Sequence, residues 1–156
     1  MKKLALLSVF LMVACTLSYS QVLLEGKYKV VSPFRQNTAG LYSSEVDGIK
    51  SWGIAVPSSN PFSEMFAFPI GSSVSECIET CTMLIKLMNI ISKESGVNLT
   101  FGHKKYHFMQ EIRLEINFFW ISSDDNNGIG NIREPELKQC LEYFRKLEKT
   151  TANKPK

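Results

Sequence analysis

An α+β domain, with a mainly antiparallel sheet of about five to six strands and two helices packed on one face, follows from three features of the sequence. From Gln110 to Ile121 the residues alternate strictly, with Ile112, Leu114, Ile116, Phe118 and Trp120 on one face and Glu111, Arg113, Glu115 and Asn117 on the other. From Ser73 to Ser95 the apolar residues recur instead at helical spacing. Asp47-Gly48, flanked by two apolar runs, carries the signature of a two-residue type I′ hairpin turn, in which both central residues must tolerate positive φ.

The elements follow in chain order. Val22 to Val31 suits a strand with Tyr28 and Val30 on one face and Lys27 and Lys29 on the other, closed by Pro33. Leu41 to Val46 and Ile49 to Val56 are the arms of the Asp47-Gly48 hairpin. Phe66, Phe68 and Ile70 alternate in a short strand, and Pro69 favours a sheet edge or a strand end because proline cannot donate to a ladder.

In the first helix Ser73 and Glu76 form a capping-box pattern, and Gly96 supplies the stop. Val74, Cys77, Ile78, Cys81, Leu84, Ile85, Met88 and Ile91 make its apolar stripe, and Glu79, Lys86, Asn89 and Lys93 its wet face. Val97, Leu99 and Phe101 then alternate ahead of a turn at Gly102 to Lys105 and the long strand from Gln110. In that strand Phe119 and Ile121 break the polar face, as an apolar patch for a partner or as extra packing. A last helix runs from about Pro135 to Lys149, with Leu137, Cys140, Leu141, Phe144 and Leu147 on its stripe. The element order is β-β-β-β-α-β-β-α, and no segment repeats another in sequence.

The N-terminus reads as an export signal. Lys2 and Lys3 are followed by an apolar run from Leu4 to Leu17 and by Ser18-Tyr19-Ser20, in the order of a charged region, an apolar region and a small-residue cleavage site. The run is shorter than the roughly 20 residues that span a bilayer, so no transmembrane span is expected. Cleavage after Ser20 gives a signal peptide at 1–20, one α+β domain at 21–150 and a disordered tail at 151–156. Met12-Val13-Ala14-Cys15 also resembles a lipobox, with Met12 where that motif has Leu; lipidation of Cys15 would tether the protein to a membrane. The expected location is therefore periplasmic or secreted, with a membrane-tethered lipoprotein as the alternative.

The chain has 18 basic and 15 acidic residues, and loss of Lys2 and Lys3 brings the remainder close to neutral. No basic stripe points to nucleic acid. Without Cys15 three thiols remain, Cys77, Cys81 and Cys140. If the helices are neighbours, one bridge from Cys140 to Cys77 or Cys81 fits their placement; three reduced thiols packed in the core is the alternative.

Two constellations could carry chemistry. Ser123 to Glu134 resembles an EF-hand calcium loop, with Asp125 and Asn127 at its third and fifth positions, Gly128 at the turn, Ile129 as backbone ligand, Asn131 ninth and Glu134 twelfth. Ser123 replaces the usual leading Asp, a strand enters the loop, and Asn131 with Glu134 also reads as a capping pair for the last helix. The second is a thiol nucleophile, Cys77, near the start of its helix, with His103 or His107 as base. Helix-borne Cys before strand-borne His resembles the layout of papain-like and related peptidoglycan-cleaving hydrolases. His103 and His107 have no third ligand for zinc.

With no phosphate loop, carboxylate pair or nucleophile elbow, the reading is a small exported, non-enzymatic binding or accessory domain without cofactor, for a protein or cell-envelope ligand. An exported Cys/His hydrolase and a weak calcium module are the alternatives.

Overall fold

The computed structural model describes residues 28–34, 39–58, 65–91, 96–101, 104–113, 115–124 and 129–152. Residues 1–27, with the signal and Cys15, lie outside this set. The fold is α+β, but it has two antiparallel four-stranded sheets in place of one sheet of five to six strands.

The first sheet is a meander of β1 (Tyr28–Pro33), β2 (Gly40–Val46), β3 (Ile49–Pro57) and β4 (Met65–Gly71). Asp47 and Gly48, at φ 52° and 77°, close the β2–β3 hairpin in the expected turn, with Val46 paired to Ile49. Pro69 lies in β4, the edge strand, where a missing N–H disrupts no second ladder. In β1 the expected faces are altered by a register shift between Val30 and Ser32. This bulge turns Val31 onto the core and leaves Val30 exposed.

Helix α1 (Val74–Ile90) follows, capped as its sequence indicates: Ser73 Oγ accepts from Glu76 N, and the Glu76 carboxylate accepts from Ser73 N. It stops before the expected Ser95. Ile91 is extended, and its buried side chain packs in the core where a continued helix would redirect it.

The second sheet is β5 (Val97–Phe101), β6 (Lys104–Arg113), β7 (Ile116–Ser123) and β8 (Ile129–Arg133), again a meander. The single strand expected from Gln110 to Ile121 is thus a hairpin, with Arg113 paired to Ile116 and Glu115 at φ 64°. Ile112 opposes Asn117, so odd-numbered residues of β7 share the face of even-numbered residues of β6. Phe119 and Ile121 are therefore core residues, and Phe118 and Trp120 face outward, the reverse of the single-strand reading.

Helix α2 (Glu134–Ala152) closes the chain, extending past Lys149 into the segment expected as tail. Its first turn is held by Glu136, which accepts from Arg133 N at 2.8 Å and pairs with the Arg133 guanidinium at 2.8 Å, in place of the expected Asn131–Glu134 pair. Among the described residues no helix is long and apolar enough to cross a membrane.

Two ββββα units thus stand in series, a repeat invisible in residue identity. Both meanders are centred on hairpins with two-residue turns, and both helices are capped by a glutamate, Glu76 and Glu136. Cys77, Thr80, Cys81 and Leu84 are buried in α1, and the residues sixty positions on, Leu137, Cys140, Leu141 and Phe144, are buried in α2.

Both inner sheet faces and both helix stripes enter one hydrophobic core. Phe68 of β4 lies edge-on to Phe101, Tyr106 and Phe108 of the second sheet at 4.6, 5.0 and 5.5 Å between ring centroids. Such pairs each add about 0.5–1.5 kcal/mol beyond the area they bury. Trp52 of β3 makes the same contact with Phe144 of α2 at 5.7 Å, and its buried Nε1 has no hydrogen-bond partner among the described residues. Where β8 meets the first sheet, a Cβ on Gly130 would fall 2.4 Å from Val56 Cγ2 and 2.7 Å from Phe66 Cδ1.

Gly130→Ala is therefore expected to lower the unfolding free energy by roughly 1–3 kcal/mol in urea titrations, and Val56→Ala in the same chain should remove part of that cost. An unchanged midpoint would show that β8 does not abut the first sheet.

Candidate functional site

The sheet pleat divides the reactive groups into two sets. Facing inward are the three thiols. Cys77 and Cys81 stand one turn apart on α1, Cys140 projects from α2, and all three are free and fully buried. Burial, with smaller contributions from Cys81 and Glu76, pushes the Cys77 thiol far above its ordinary value. The Cys140 thiol is also raised, chiefly by burial and then by a hydrogen bond with Cys81. Thiols in this state are protonated at neutral pH and are weak nucleophiles.

His107 faces the other way. Its strand neighbours Tyr106 and Phe108 are buried in the core, so its ring projects from the outer face of the second sheet, across the sheet from Cys77. There Nδ1 lies 2.7 Å from Asn98 Oδ1 on β5, which places the hydrogen on Nδ1. The fold does not bring Cys77 and His107 together; His103 lies outside the described residues.

The residues of the expected calcium loop are dispersed in role. Asp125 and Asn127 lie outside the described residues. Ile129 and Asn131 are in β8, paired with Ser122 and Trp120 of β7, and Glu134 opens α2 with its carboxylate 2.6 Å from Lys138 Nζ. Among the described residues no three His, Cys, Asp or Glu side chains converge as a metal site.

The outer face of the second sheet is a surface that sequence reasoning missed. Three cross-strand rows cover it: His107, Ser122 and Ile129; Met109, Trp120 and Asn131; Glu111, Phe118 and Arg133. Met109 and Ile129 are each 40% exposed, and Phe118 and Trp120 are half-buried. The indole is fixed, because Trp120 Nε1 donates to Glu111 Oε2 at 2.6 Å. With its one donor satisfied inside the sheet, Trp120 offers a partner mainly the flat of its ring.

The first sheet contrasts with this. Its corresponding face carries Gly40, Tyr42, Ser44, Ser51, Gly53 and Ala55, all buried, with a Ser44–Ser51 hydroxyl contact of 2.9 Å. The signal for the aromatic face was the pair Phe118 and Trp120 at i, i+2, and reading it required the turn at Glu115.

No family model, curated protein or solved structure matches the chain.

The raised thiols fix a pH dependence. The folded chain keeps protons on Cys77 and Cys140 that the unfolded chain releases above its ordinary thiol value, so this stability is complete below about pH 8.5 and declines as pH rises. The unfolding free energy is expected to fall between pH 8.5 and 10, with a shallower slope in Cys77→Ala. Thiol labelling of the reduced, folded chain should be at least about 100-fold slower than in denaturant. Rapid labelling of Cys77 near neutral pH, together with loss of a hydrolytic activity, would restore the thiol-enzyme reading.

Proposed function

We propose that the protein is an exported, non-catalytic binding domain that holds a protein partner on the outer face of its second sheet. The observation that carries this reading is the pinned Trp120 indole between Met109 and Asn131, with Phe118 beside it, on an accessible sheet face. Aromatic residues, methionine and arginine are enriched at protein–protein interfaces, and rigid aromatics dominate their binding energy. A flat sheet face suits another protein better than a small molecule, which calls for a concave site. The near-neutral charge balance supports a partner other than nucleic acid or an anionic membrane.

The non-catalytic part of the proposal is supported by the separation of thiol from imidazole and by the protonated state of Cys77 and Cys140. Export is supported by the charged, apolar and small-residue order of residues 1–20.

A photo-crosslinking amino acid at Met109, compared with one at the exposed Glu142 of α2, tests the surface in the producing cell. A discrete adduct from position 109 alone, abolished by Trp120→Ala, is the expected result. Equal adducts from both positions, or none from position 109, would refute the proposal. Trp120→Ala should leave the urea midpoint within the change expected of a half-buried side chain, about 1 kcal/mol or less.

A further inference from the structure

The edge of the second sheet carries a modification signal that the binding reading does not use. Asn98-Leu99-Thr100 is an acceptor sequence for N-linked glycosylation, Asn-X-Thr with X other than proline, and no other asparagine of the chain stands two residues before Ser or Thr. The three residues lie in β5, which pairs with β6 on one side and has no described strand on the other. Strand alternation turns Leu99 into the core and leaves Asn98 and Thr100 both exposed, so the fold displays the two side chains that make up the signal. Only half of the Asn98 amide is engaged among the described residues. Its Oδ1 accepts from His107 Nδ1 at 2.7 Å, which leaves Nδ2, the atom that bears a glycan, on the other branch.

We propose that Asn98 is an N-glycosylation site whose glycan stands at the β5 rim of the face built around Trp120. The donor is a lipid-linked oligosaccharide diphosphate and the catalyst a membrane-bound oligosaccharyltransferase met during export, so the proposal rests on the export reading. Asn98 Nδ2 loses one proton to a base and forms a bond to the anomeric carbon of the first sugar. The bond from that carbon to the diphosphate oxygen breaks, and the lipid diphosphate leaves with its electron pair. Nothing is oxidised or reduced.

The linkage fits the folded chain. Substitution at Nδ2 leaves Oδ1 an acceptor, so the His107 hydrogen bond persists and holds the Asn98 side chain in place. Asn98, His107, Ser122 and Ile129 form one cross-strand row, next to the row of Met109, Trp120 and Asn131. A bulky, hydrated glycan at the β5 end of that row walls the aromatic platform on one side, and a partner then reaches Trp120 from the side of β8. The same glycan covers the backbone of an edge strand, where another chain would otherwise pair.

Two arms separate this proposal from the export reading. In the first, residues 21–156 behind a cleavable foreign signal are translated into eukaryotic microsomes. One glycan is expected, removed by peptide N-glycosidase, retained in Thr100→Ser, and lost both in Asn98→Gln and in Thr100→Ala, which leaves the Asn98 side chain itself intact. An unmodified chain protected inside the microsomes would overturn the proposal whatever the native signal does. In the second arm, protein recovered from the producing cell is peptide-mapped with and without the glycosidase. A glycan on Asn98 supports both readings. A chain cleaved at its N-terminal signal with Asn98 bare keeps export and overturns the glycan, whereas a chain that retains residues 1–20 with Asn98 bare overturns both.

Discussion

The contact of Phe68 with Phe101, Tyr106 and Phe108 makes two sheets into one molecule. Neither four-stranded meander buries its inner face alone: the first presents Leu41, Trp52, Ile54, Val56, Phe66 and Phe68, and the second Leu99, Phe101, Tyr106, Phe108, Phe119 and Ile121. Each face shields the other from water, and the two helix stripes join the same core. At about 25 cal/mol per Å² of apolar surface, that shared burial is the dominant favourable contribution to folding. Gly130 belongs to the same constraint, because β8 approaches Val56 and Phe66 without room for a side chain.

Commitment of the inner faces to packing leaves the outer face of the second sheet accessible. Both helices turn their apolar stripes to the core, which also explains why the three cysteines are sealed and why Cys77 and Cys140 are held protonated. The repeated ββββα unit supplies two outer faces, and their side chains have diverged. The first is buried and carries Tyr42 among small residues, whereas the second pairs Trp120 with Met109 and Glu111 with Phe118. The Glu111–Trp120 hydrogen bond gives the aromatic platform a fixed orientation, so little rotamer entropy remains to be lost when a partner docks.

Much of this was legible where a local chemical signal existed. Asp47-Gly48 announces its turn through residues that accept positive φ, Ser73 and Glu76 announce a helix start, and Pro69 marks an edge. The turn at Glu115 has no such signal, because glutamate does not favour a turn and the alternation of the sequence across it fits one long strand. That one omission merged two strands and inverted the faces of Phe118 to Ile121. The bulge at Val30 to Ser32, the buried Thr80 and the buried carboxylate of Glu136 depend on tertiary packing, which periodicity does not encode. The repeat escaped notice for a related reason: burial is preserved at sixty-residue spacing, while Cys77 answers to Leu137 and Leu84 to Phe144. Of the candidate site, the aromatic face emerged only with the correct strand register.

The chain's two tryptophans lie one in each sheet, Trp52 in β3 and Trp120 in β7, and so report on the two halves separately. Urea unfolding of Trp52→Phe, followed by Trp120 fluorescence, and of Trp120→Phe, followed by Trp52 fluorescence, each set beside far-ultraviolet circular dichroism, tests the shared core directly. Within each variant, coincident fluorescence and dichroism transitions are the predicted result. A fluorescence transition displaced from the dichroism transition in either variant would show that the sheets unfold independently and would contradict the account.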